Sequence, residues 1–306
     1  MKTILKCNSK ISQLTLGTVQ LGLPYGINNS NGMPSYEESA KILNTALSLG
    51  ITSFDTARTY GESETVLGKF FKEDNREKTI ITKVSFENID KSAVKDTLYS
   101  QVRDSINKLG IERIPFVKLH SEKMIAAYGD TLINALGDLK RDGLVSGVGI
   151  SFSDKTNLLD YTDGTGFDCV QIPANMFDSH EILNGGIKAL ADRGIAVFIR
   201  SVYLQGLFFK STDELPEKIR SAKAPLESIK KLSRDTGVSV AELALTFIRD
   251  TEGIASLILG CDTPEQLKES VNLFKAPSME ESVRQRILEI AQSVEPTTIR
   301  PWEWFS

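Results

Sequence analysis

Residues 50–68 read Gly50-Ile51-Thr52-Ser53-Phe54-Asp55-Thr56-Ala57-Arg58-Thr59-Tyr60-Gly61-Glu62-Ser63-Glu64-Thr65-Val66-Leu67-Gly68. A short apolar run, Ile51–Phe54, leads into an acid, a tyrosine follows five residues later, and Glu62–Phe71 then carries apolar residues at three- and four-residue spacing. Strand, loop and helix make one unit of an alternating α/β protein. The same unit recurs on both sides. Strand-like runs are expected at Leu14–Val19, Ile51–Phe54, Thr79–Lys83, Ile114–Leu119, Val145–Ile150, Asp168–Ile172, Ile195–Arg200 and Ser256–Leu259. Helical spacing marks Tyr36–Leu49, Glu62–Phe71, Ala93–Leu109, Thr131–Asp142, Glu181–Ala191, Ala224–Thr236 and Val240–Arg249.

Eight such units in 306 residues match a closed (β/α)8 TIM barrel in the α/β class, whose usual length is about 250 residues before insertions. An open doubly wound sheet shows the same alternation and is the competing architecture. The opening reads as a β-hairpin, Thr3 to Cys7 and Ile11 to Leu14 around a turn at Asn8-Ser9-Lys10, expected to plug the barrel's bottom. No Pro/Gly/Ser-rich linker divides the chain, which implies a single domain over 1–306. Two segments lack a period, 202–221 and the aromatic tail 296–306 with Trp302, Trp304 and Phe305. The tail either packs on the barrel wall or a subunit contact, or covers the substrate.

Composition narrows the function. With 41% hydrophobic and 25% charged residues the chain has the make-up of an ordinary globular protein. A formal charge of −4 without a clustered basic run argues against a nucleic-acid partner. No apolar run approaches the roughly 18 residues that span a bilayer, and Lys6 interrupts the apolar start too early for a secretory leader, so no membrane is implied and a cytoplasmic location is expected. Cys7, Cys169 and Cys261 are far apart and only two histidines are present, which supports neither a zinc site nor a disulfide framework, so no metal is expected.

In a barrel, polar residues at the carboxyl ends of strands gather at one mouth. Asp55, Lys83 and His120 end successive runs, Tyr60 lies on the loop after the first of these, Ser151 follows the fifth run and Gln171 lies near the end of the sixth. Each has an ordinary alternative: an acid after a strand caps turns, a lysine there is solvated, an isolated histidine packs. Together they describe one chemistry. A phenol has a pKa of about 10, and a neighbouring ammonium favours its ionised form, so Tyr60 beside Lys83 is suited to giving up a proton.

These motifs resemble those of the aldo-keto reductase superfamily, from Leu16 to about Phe274. Gly50–Gly61 with Ser63–Gly68 is similar to the family's signature, Ile81-Thr82-Lys83 to its lysine strand and Leu119-His120 to its histidine. The resemblance implies that hydride passes from a reduced nicotinamide, NADPH or NADH, to an aldehyde or ketone while Tyr60 protonates its oxygen. Lys83 would lower the Tyr60 pKa, Asp55 would hold Lys83 in place and His120 would polarise the small-molecule carbonyl substrate. It also implies a nucleotide site formed by Gly17, Thr18, Asp55, Ser151, Gln171, Arg200, Ser201, Leu204, Gly206, Gly260, Asp262, Gln266, Glu269 and Ser270. Arg200 stands where the family has a ring stacked on the nicotinamide, a place a planar guanidinium also fills.

The chain departs from the family's pattern in two regions. The resemblance slightly favours NADP, but Gln266 stands in place of an arginine for its 2′-phosphate and Asp262 adds negative charge nearby, an acid that accepts from a ribose hydroxyl and repels a phosphate. Phe152 and Ser121 stand where Asn and Trp are usual, and with Tyr25, Phe86 and Tyr203 they are candidates for the substrate pocket. Two other functions stay open: a nucleotide-binding, reductase-like regulatory subunit, and a barrel lyase that uses Lys83 as a Schiff-base amine.

Overall fold

The computed structural model describes residues 1–27, 29, 32–153 and 158–304. Among the described residues ten strands are formed: β1 (Thr3–Lys6), β2 (Ser9–Ser12), β3 (Leu14–Gly17), β4 (Ser53–Asp55), β5 (Thr79–Val84), β6 (Ile114–Leu119), β7 (Val145–Ser151), β8 (Cys169–Pro173), β9 (Ala196–Arg200) and β10 (Ile254–Leu259). The last eight close into a parallel barrel in the order β10-β3-β4-β5-β6-β7-β8-β9. Closure decides against the open sheet. Helices follow the strands on the outside, beginning with Tyr36–Ser48, whose capping box joins Ser35 and Glu38.

β1 and β2 pair antiparallel and sit at the amino ends of the barrel strands. The Ser12 hydroxyl accepts from the backbone N–H groups of Thr52 and Ser53, the Ser12 N–H donates to the Ser53 hydroxyl, and the Ser256 hydroxyl donates to the Ser12 carbonyl. Ile11 enters the interior with Ile81, Phe116, Cys169, Phe198 and Ile258. The hairpin therefore plugs the bottom. Its reversal lies at Cys7-Asn8, with φ of 48° and 59°, and not at Asn8-Ser9-Lys10. A two-residue turn with both φ positive matches the right-handed twist of the flanking strands.

The expected helix at 181–191 is divided into His180–Leu183 and Gly186–Asp192, because Gly185 takes a left-handed φ of 76° between them. The Gly147 and Gly149 of β7 serve packing. A Cβ on Gly147 would enter the ring of Phe116, and one on Gly149 would strike the Cys169 carbonyl. No described helix is long and apolar enough to cross a membrane.

Candidate active site

Side chains alternate along a strand, so residues two apart face the same way. From the apolar layer of Ile81, Phe116, Cys169 and Phe198, one step of two residues up each strand reaches Lys83, Lys118, Gln171 and Arg200. Lys83 and Lys118 lie opposite each other in the β5–β6 register, and Asp55 ends β4 beside them. Packing of the strand ends thus brings two ammonium groups to one carboxylate.

Lys83 Nζ donates to Asp55 Oδ2 at 2.6 Å, to the Thr56 carbonyl at 2.8 Å and to Tyr60 Oη at 3.3 Å. Lys118 Nζ donates to Asp55 Oδ1 at 2.9 Å and to Gln171 Oε1. Lys83 is 1% exposed and Lys118 0%. The two lysines hold the Asp55 carboxyl below its ordinary range against a burial effect that pushes the other way. Burial is also the largest influence on both lysines and lowers their pKa.

Tyr60 and His120 form the next layer, their rings edge to face with centroids 5.9 Å apart. Burial, and then the Asp55 charge, push the Tyr60 phenol above its ordinary pKa, with Arg200 opposing. The net influence on the phenol is therefore upward, chiefly from burial, where the sequence leads one to expect Lys83 to lower it, and the phenol is protonated at neutral pH. Burial and then Lys83 push His120 down to about 4, so its imidazole is neutral there. Its Nδ1 lies 3.2 Å from Thr59 Oγ1.

A cavity of about 820 Å³ opens above these groups, within the usual range for small-molecule sites. Of the nucleotide candidates, Gly17, Thr18, Asp55, Ser151, Gln171, Arg200, Ser201, Gly206, Gly260, Asp262, Gln266, Glu269 and Ser270 all line it; Leu204 is buried away from it. Thr18 contributes little through its hydroxyl, which is buried and spent on the Asp55 carbonyl and Ser63. Arg200 is held at the rim by hydrogen bonds to Ser201 Oγ and the Phe152 carbonyl, 3.1 and 3.0 Å. Ser201, Leu204 and Gln205 all have positive φ (63°, 46° and 53°), backbone strain of the kind that collects at ligand sites.

The substrate candidates divide. Tyr25 and Tyr203 line the cavity. Phe86, Ser121 and Phe152 are outside its wall: Phe86 packs against Tyr128, Phe152 is fully buried against Tyr161, and the Ser121 hydroxyl caps the Lys123 N–H. Their neighbours Lys123 and Ser153 face the cavity in place of Ser121 and Phe152. The aromatic tail divides too. Trp304 is buried, its indole N–H shared by the Thr297 and Thr298 carbonyls, whereas Trp302 stands half exposed at the cavity rim. Phe305 lies outside the described residues. His180 begins a short surface helix and pairs with Glu181.

Sequence reasoning passed over Lys118, although its place two residues before His120 on a strand puts it on the inward face. It also passed over Gln20, in the cavity wall, whose buried Oε1 has no hydrogen-bond partner among the described residues. A Cβ on Gly260 would collide with the Gln20 amide, so that glycine is what lets the side chain lie across the cavity. An acceptor left unmet in a cavity wall fits a bound molecule that brings hydroxyl or amide donors, as a dinucleotide does. Among the described residues no cluster of three or more His, Cys, Asp or Glu residues could hold a metal.

The chain is 24% identical over 256 residues to the NADH-specific methylglyoxal reductase of Escherichia coli, covering 72% of this chain and 78% of that protein. It is 25% identical over 298 residues to the L-glyceraldehyde 3-phosphate reductase of Escherichia coli O157:H7, covering 85% and 84%. The holo form of an aldo-keto reductase from Bacillus halodurans superposes with a TM-score of 0.78 at 24% identity, over 98% of this chain and 99% of that one. The model of the Aldo/keto reductase family matches residues 13–291, and the chain belongs to that family of oxidoreductases.

Proposed function

We propose that this chain reduces a small aldehyde or ketone to its alcohol, with Tyr60 as the proton donor and a reduced nicotinamide nucleotide as the hydride source. The observation that carries the reading is the contact series Asp55–Lys83–Tyr60, ending on a protonated phenol at the floor of an open cavity. Gly17, Ser151, Gln171, Arg200 and the 260–270 segment would hold the nucleotide, which supplies hydride when bound. Tyr60 gives its proton to the carbonyl oxygen as negative charge develops there, and the Lys83 ammonium 3.3 Å away stabilises the phenolate left behind. If Thr59 donates to His120 Nδ1, Nε2 carries the imidazole proton and offers it to the same oxygen. Lys83 is buried and engaged by Asp55, which speaks for this role over Schiff-base chemistry.

NADH is the favoured nucleotide. At the Gly260 end the cavity wall contains Asp262 and Glu269 and no lysine or arginine among its described residues, so nothing there neutralises a 2′-phosphate. Gln266 Oε1 is turned back to accept from the Asp262 N–H at 2.7 Å. Side-by-side fluorescence titration tests both statements: NADH is expected to bind more tightly than NADPH, binding of neither would remove the cofactor assignment, and tighter NADPH would overturn the preference alone.

A further inference from the structure

Asp55 Oδ1 and Gln171 Oε1 are both acceptors, and Lys118 Nζ touches both from the barrel interior. A lysine ammonium only donates, so the Gln171 amide must turn its oxygen inward. Gln171 also lines the cavity, which leaves its NH2 group as the one available to a ligand. Without Lys118 the cheapest arrangement is the reverse: the amide flips, its NH2 meets the Asp55 carboxylate, and an acceptor faces the cavity. Lys118 Nζ lies 4.9 Å from the centroid of the Phe198 ring, and the side chain is fully buried.

We propose that Lys118 is a positioning residue that sets the donor polarity of the Gln171 amide at the cavity floor and thereby the grip on the nicotinamide carboxamide oxygen. The proposal rests on the nucleotide-reductase reading above. It makes Lys118 a component distinct from Asp55, Tyr60, Lys83 and His120: it acts on binding through Gln171, and on the proton donor only at second hand through Asp55.

The test is a double-mutant cycle read as the Kd of NADH, with Lys118→Met, Gln171→Ala and the double variant, each checked for folding by thermal melting. Met keeps the length of the side chain and leaves the Asp55–Lys83 pair intact; Lys118→Gln serves if Met does not fold. Each single change is expected to raise Kd roughly tenfold, and the double variant to be no weaker than Gln171→Ala alone. A merely structural role would make the two effects multiply, and that result overturns the proposal. So does wild-type affinity in either single variant. Failure of the wild-type protein to bind NADH or NADPH at all would instead remove the cofactor reading on which the proposal stands, so the two failures are told apart.

Discussion

The two ends of this barrel are built from the same strands and differ completely in chemistry. At the bottom, Ile11, Ile81, Phe116, Cys169, Phe198 and Ile258 form an apolar plug. One pleat higher, Asp55, Lys83, Lys118 and Gln171 make a buried charged cluster that opens into the cavity. The lower layer contributes by excluding water and filling volume, and an apolar residue of similar shape serves equally well there. The upper layer is costly to assemble, since three charged groups leave water, and it persists because every one of them has an opposite charge or a hydrogen bond. Expense of that kind marks where function resides, whereas the floor marks what holds the mouth in shape.

The largest expected effect tests the upper layer. Tyr60→Phe removes the acid while keeping the ring, so kcat should fall roughly 10²- to 10⁴-fold with the NADH Kd unchanged; substantial residual turnover in steady-state assays would show that another group gives the proton. Next is the contrasting change below it. Phe116→Ala empties a fully buried site and should cost about 3–5 kcal/mol of stability in denaturant unfolding. Its kcat should stay near that of the parent at a temperature where the variant is folded, and a large kcat loss there would erase the division between floor and mouth.

A smaller effect concerns the far end of the cavity. Replacing Gln266 by Arg and Asp262 by Ser supplies a cation and removes the opposing charge, so the NADPH-to-NADH affinity ratio should rise by roughly tenfold. An unchanged ratio in paired titrations would place the 2′ position elsewhere. The smallest is a pH effect on stability. His120 titrates at about 4 in the folded protein against about 6.5 unfolded, so between these values the unfolded chain binds the extra proton. Stability is therefore expected to fall as pH drops from 6.5 towards 4, and His120→Asn should flatten that part of the melting-temperature profile. An identical profile in the variant would assign the acid sensitivity to the carboxylates.

The sequence made some parts of this molecule legible for definite physical reasons. Strands of a parallel barrel are short apolar runs, and all eight were recognisable because each is flanked by helices with their own period. Asp55, Tyr60, Lys83 and His120 stood out because strand ends deliver polar groups to one mouth. Lys118 did not, since a lysine within a strand reads as a solvated edge unless the neighbouring register is known. Phe86, Ser121 and Phe152 were placed near the cavity by linear position, yet whether a rim side chain turns into the pocket or onto the outer core depends on loop conformation that no period encodes.

What the chain determines by itself is therefore local: which segments are strands, which residues end them, and that a phenol, an ammonium, an imidazole and a carboxylate lie at consecutive ends. Only tertiary structure decided that the sheet closes, that two lysines share Asp55, and that the net influence on Tyr60 is upward. The physical reason is range. Strand propensity and side-chain alternation act over a few residues, whereas burial and charge pairing depend on groups brought together from positions as distant as Asp55, Lys118 and Gln171.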